Sequence, residues 1–241
     1  MMGAKAALEA VTVAEGVPAL VAGAPGLPGL LCIQEWWGIT PMVKQQALKL
    51  AGEGYRVLIP DIYNGKVGVD KEEAAHLMGN LDWMKAKDDL VRCAAFLKAE
   101  GSPKVGATGF CMGGALSMVG AQHSPDVVCA APFYGIAGAE LCQPETLKKP
   151  IEGHFGTLDD HAGFSDPASA QALQAKLDQA GVGGKVWMYE GVGHGFLNPT
   201  PDSANVAEGV NVATGFPAAN KDMQDLAWQR LFAFFEKHVK N

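Results

Sequence analysis

Residues 109–114 read GFCMGG, which puts Gly109, Cys111 and Gly113 in the spacing G-x-nucleophile-x-G. A thiol in that position could attack a carbonyl, in the place more often held by a serine hydroxyl. An apolar run, KVGAT (104–108), leads into the motif, and a helical pattern follows from Met112. This is the context of a nucleophile elbow, a tight strand-to-helix turn that lifts its central side chain above a sheet. Glycines flank such a turn because larger side chains would collide with its strained backbone. The helix start beside the sulfur is expected to lower the thiol pKa. The Met112 N–H is expected to point at a developing oxyanion.

A base and its partner follow in the chain. His194 lies in EGVGHGF, directly after the apolar run KVWMY, where neighbouring glycines leave a ring exposed at a strand end. Of the other histidines, His76, His123 and His238 fall on helix surfaces, His154 falls within a strand, and His161 falls in a loop. The stretch HFGTLDDHAGF holds two adjacent carboxylates. The spacing Gly156-x-x-Asp159 favours Asp159 as the acid that would orient the imidazole, with Asp160 one residue away as the alternative. Upstream, IQEWWG (33–38) places Glu35 after the first strong apolar run, facing the same pocket as the thiol, and makes the Trp36 N–H the second candidate oxyanion donor. Trp36 and Trp37 either line that pocket or pack beneath its loop.

These residues need a scaffold that gathers strand ends. Apolar runs read as strands at 29–33, 55–59, 104–108, 127–134, 151–155 and 185–189. Helical patterns read at 42–54, 81–99, 112–121, 169–180 and 219–239. Such alternation predicts an α/β fold, a mostly parallel central sheet with helices on both faces. Sites in such sheets lie at the carboxyl ends of the strands, which selects Glu35, Asp61, Cys111, Asp159 and His194.

Composition bounds the rest. A chain of 241 residues, 48% hydrophobic and 19% charged, predicts a single globular domain over 1–241. A net charge of -7 without a basic run argues against nucleic acid and against docking on anionic membranes. There is no signal-like segment and no apolar run near about 20 residues. Cys32, Cys93, Cys111, Cys129 and Cys142 form no CxxC pair, the pattern of reduced cytoplasmic thiols. Cys32, Cys93 and Cys129 read as small buried hydrophobes. No Cys/His set has zinc-ligand spacing, so neither metal nor organic cofactor is expected.

QEWWG (34–38), PDIY (60–63), GFCMGG (109–114), GTLD (156–159) and GHGF (193–196) together resemble the dienelactone hydrolase family, carboxymethylenebutenolidases of the three-layer α/β-hydrolase fold. The order nucleophile, acid, histidine agrees with that fold. The resemblance implies Cys111 as nucleophile, His194 as base, Asp159 as orienting acid, and Glu35 as a carboxylate that contacts a resting, protonated thiol and takes its proton when substrate binds. It implies a small-molecule lactone or ester substrate, in a monomer or small homo-oligomer, and a thioester intermediate.

The chain departs from the family in its basic residues. Family members hold a substrate carboxylate with arginines. Here Asn198 stands in the stretch after the histidine, and VDKEEAAHLMGN offers only Lys71 before the long helix. Arg56, Arg92 and Arg230 fall in strands or helices, so a guanidinium clamp is not expected. The polar stretch 198–217 has the length of a lid. A ligand-binding or thiol-sensing protein without turnover is the competing reading, and a peptidase a third, for which the chain lacks room for a large accessory domain.

Overall fold

The computed structural model describes residues 7–198 and 220–241. Its centre is an eight-stranded sheet: β1 (Glu9–Val13), β2 (Val17–Ala22), β3 (Gly29–Ile33), β4 (Arg56–Pro60), β5 (Val105–Phe110), β6 (Val127–Phe133), β7 (Glu152–Gly156) and β8 (Lys185–Tyr189). The spatial order is β1-β2-β4-β3-β5-β6-β7-β8. Strands β3 to β8 are parallel, whereas β1 and β2 form an antiparallel hairpin whose second strand pairs with β4.

The helices are α1 (Pro41–Gly52), α2 (Lys71–Gly79), α3 (Trp83–Ala99), α4 (Met112–His123), α5 (Pro167–Ala180) and α6 (Lys221–Phe235). They cover both faces. Leu30 and Cys32 point into the apolar layer shared with α1 and α6, while Leu31 and Ile33 point into the layer shared with α3, α4 and α5. Every residue of β3, β4 and β5 is buried, which is why these strands read as unbroken apolar runs rather than as alternation. Cys32, Cys93 and Cys129 are buried as expected, and so is Cys142.

Local signals set the ends of several helices. The expected helix over 81–99 begins at Trp83, because the Asp82 carboxylate accepts the Lys85 N–H and caps it. Asp70 caps α2 in the same way through the Glu73 N–H, with Lys71 as its first residue. Gly181 ends α5 in the left-handed conformation. The expected helix over 219–239 is α6 followed by a wider turn over Glu236–Lys240. No helix among the described residues is long and apolar enough to cross a membrane. Residues 199–217 of the expected lid lie outside the described residues.

The chain runs from β3 to β4 on one side and returns to β5 on the other, so the order of the sheet reverses between β3 and β5. A crevice opens at the carboxyl ends of strands where the order reverses in this way. The loops after β3 and β5 meet there.

Candidate active site

The turn after β5 has the backbone of an elbow. Cys111 sits at φ 55°, ψ -119°, a conformation that costs a non-glycine residue about 1–3 kcal/mol and persists only where its surroundings impose it. The imposition is visible at the glycines. A Cβ on Gly109 would stand 2.2 Å from the Gly113 carbonyl oxygen, and one on Gly113 would stand 2.3 Å from the Ile33 carbonyl oxygen. Strand, turn and helix can approach this closely only without those side chains.

The turn holds the sulfur against two backbone donors. The N–H groups of Met112 and Trp36 both hydrogen-bond the Cys111 side chain. The thiol pKa is nevertheless raised, not lowered as the helix start alone suggests. Burial pushes it up, the nearby Glu35 carboxylate pushes the same way, and the two amides only partly offset them. The helix-terminus effect is outweighed because the site is dry and already holds an acid.

Glu35 extends from the loop after β3 and is itself buried. Burial raises its pKa to about 7, against the lowering effect of hydrogen bonds from Asn198 and Tyr134. The Asn198 amide donates to both carboxylate oxygens, at 3.2 and 3.4 Å. Tyr134, at the end of β6, is fully buried at φ 37°, with its hydroxyl 3.4 Å from Asn198 Oδ1 and hydrogen-bonded to Glu35.

The imidazole end is built on β7 and β8. His194 Nδ1 lies 2.9 Å from Asp159 Oδ2. Burial disfavours the Asp159 anion, but hydrogen bonds from His194, the His161 amide and Ser165, together with the His194 charge, outweigh it and hold the pKa below the usual carboxylate value. An ionised carboxylate only accepts, so His194 Nδ1 carries the hydrogen and Nε2 becomes the basic nitrogen. Ser165 Oγ stands 3.1 Å from the same ring nitrogen. His161 places both its amide (3.1 Å) and its Nδ1 (3.0 Å) on Asp159 Oδ1, and its ring lies 4.2 Å from that of His194.

Cys111, His194, Glu35, Trp36, Met112 and Asn198 line one cavity of about 450 Å³. Asp159 meets the imidazole from behind, whereas the Asp160 side chain is 96% exposed and does not reach His194. Trp36 and Trp37 line the cavity and pack edge to face at 5.1 Å. Asp61, the other strand-end candidate, is not brought to the site: its carboxylate accepts the Gly65 N–H in a local turn. His154 is buried in the sheet against Phe133 and Tyr189. Tyr134, Ser165 and His161 are members that the sequence motifs do not single out. Asp159, His161 and His194 hold donor atoms within 4.8 Å of one another, a group that could hold a metal ion, but the same atoms already serve the hydrogen bonds described.

Comparison with known proteins agrees with this architecture. The model of the dienelactone hydrolase family matches residues 17–239. The chain is 36% identical to Protein usf of Aquifex pyrophilus over 224 residues, 89% of this chain and 90% of that protein. It is 26% identical to the carboxymethylenebutenolidase of Rhodococcus opacus, over 87% of this chain and 81% of that protein. Among solved structures, a dienelactone hydrolase-like promiscuous phosphotriesterase from metagenomic libraries superposes with a TM-score of 0.79 at 18% identity, over 98% of this chain and 99% of that one, which is a likeness of fold.

Proposed function

The chain belongs to the dienelactone hydrolase family and is an ester hydrolase, and from that premise we propose that it cleaves lactones or simple esters through Cys111, His194 and Asp159. One observation carries the reading. The Cys111 elbow and the His194–Asp159 pair come from three different strand ends and open on the same cavity.

In this reading the Cys111 thiolate adds to the ester carbonyl. The Trp36 and Met112 amides, already directed at the Cys111 side chain, hold the oxyanion, each donor contributing about 10²–10³ in rate. The tetrahedral adduct collapses to a Cys111 thioester, and the alkoxide leaves with the former thiol proton, which Glu35 gives up as it returns to its carboxylate. His194 Nε2 then takes a proton from water, whose hydroxide attacks the thioester, and the acid product departs as the thiolate is restored. Asp159 keeps the imidazole in the required tautomer and stabilises its charged form.

Glu35 takes the thiol proton when substrate displaces it from its resting contacts. A raised thiol pKa and a carboxylate with a pKa of about 7 suit this role, because the proton then moves between groups that substrate binding can rebalance. They also disfavour the thiol-sensor alternative, since a redox-sensing cysteine needs a low pKa. The eight strands of the described residues join one sheet, which supports the reading of a single domain.

Burst kinetics on p-nitrophenyl acetate test the proposal. Wild type releases a stoichiometric burst of nitrophenol and then turns over. Cys111→Ala gives neither. Turnover in Cys111→Ala close to that of wild type removes the thiol from the reaction.

A further inference from the structure

We infer that the cavity takes an uncharged, apolar substituent on its ester and rejects one that ends in a carboxylate. This deepens the hydrolase reading and rests on it only for which end of the cavity reacts.

Cys111, Glu35, His194 and Asn198 form a polar end. Beyond it the walls change character. Met112, Ala115, Leu116 and Val119 of α4 face the cavity at the spacing of one helical stripe. Seven residues at 1.5 Å each carry that stripe about 10 Å away from the thiol, room for a medium-length alkyl chain. The end of α2 supplies Met78 and the start of α3 supplies Trp83 to the walls, and the loop after β6 supplies Ile136 and Leu141. The cavity's volume of about 450 Å³ suits a small organic ligand rather than a peptide or polymer.

Its fixed charges are acidic, and the two histidines that line it, His161 and His194, are both engaged with Asp159. Glu35 stands at the polar end, and Glu140, exposed, stands on the loop after β6. No lysine or arginine lines the cavity among the described residues. The three arginines of the chain are engaged elsewhere: Arg56 pairs with Glu100, Arg92 with Glu15 and Asp89, and Arg230 stacks over Trp187. A carboxylate pushed along the α4 stripe would leave water among apolar side chains, with no lysine or arginine of the described residues to receive it and with Glu35 and Glu140 on the walls.

Methyl hexanoate and monomethyl adipate form the matched pair for a test, because they share the ester and four methylenes and differ in a terminal methyl against a carboxylate. Hydrolysis is followed by pH-stat. Binding to Cys111→Ala is followed by tryptophan fluorescence, which Trp36, Trp37 and Trp83 of the cavity report. The inference predicts that kcat/KM for methyl hexanoate exceeds that for monomethyl adipate by about 100-fold or more, with the same order of preference in binding. Ala115→Phe, which fills the stripe, is expected to lower kcat/KM on methyl hexanoate about tenfold more than on methyl acetate. Ile136→Arg is expected to raise activity on monomethyl adipate. Equal or better binding of monomethyl adipate overturns the inference whether or not either ester is hydrolysed. Absence of turnover together with preferential binding of methyl hexanoate upholds the inference and counts instead against the hydrolase reading.

Discussion

The two ends of the site treat charge in opposite ways. Around Cys111 and Glu35, burial wins: both the thiol and the carboxylate are pushed towards their neutral forms. Around Asp159 burial is also substantial, yet three hydrogen-bond donors, one of them the His194 imidazole, reverse it and the carboxylate stays ionised. The difference lies in how many donors reach each acid and whether one can become cationic. Asn198 and Tyr134 supply neutral dipoles to Glu35, whereas His194 can meet Asp159 as an imidazolium. The molecule thereby keeps the Cys111 thiol neutral at rest while the His194 imidazole is already oriented.

The largest effect should come from the charged end. Asp159→Asn removes the acceptor that fixes the His194 tautomer, and kcat is expected to fall by about 10²–10⁴ while KM changes little, as steady-state kinetics will read. Asp160→Asn is the matched control, because that side chain is solvated, and activity should stay within about twofold of wild type.

The neutral end is tested by Glu35→Gln, which separates activity from stability. A carboxyl whose folded pKa is about 7, against the ordinary value of 4.5, binds more protons folded than unfolded between those values. Stability therefore falls as pH rises through that window, by about 3 kcal/mol once Glu35 is ionised. The glutamine variant carries no such cost. It should be more stable than wild type at pH 8 in urea titrations, with the advantage gone by pH 4, and it should lose the rise in kcat/KM that wild type shows through pH 7.

Two smaller changes sharpen the contrast. Tyr134→Phe deletes a donor to Glu35, so the rising limb of kcat/KM should move up by about half to one pH unit. Ser165→Ala deletes one of several donors to an acid that keeps others, and kcat should fall only about two- to tenfold.

Much of this arrangement is legible in the sequence, and the illegible part has physical reasons. Strands β3 to β6 announce themselves because burial on both faces forces largely apolar runs. The hairpin of β1 and β2 does not, because β1 is a short edge strand, mostly exposed, without a continuous apolar signal. The elbow is readable from glycines whose absent side chains let three backbone segments meet. Spacing favours Asp159 but leaves Asp160 as an alternative, since one turn decides which carboxylate faces inward. Tyr134 leaves no motif because its place in the site depends on a positive φ that nothing in its residue type announces. The thiol pKa is misread from a helix start alone, because desolvation and a neighbouring acid are tertiary properties.

The most direct test of the neutral-nucleophile account is the pH dependence of Cys111 alkylation by iodoacetamide in the substrate-free protein. The other four cysteines are buried, so Cys111 is the thiol that reports. The account predicts slow alkylation at pH 7, with a midpoint above the ordinary cysteine value and faster reaction in Glu35→Gln. Rapid alkylation of wild type at pH 7, with a midpoint below that of free cysteine, would contradict it.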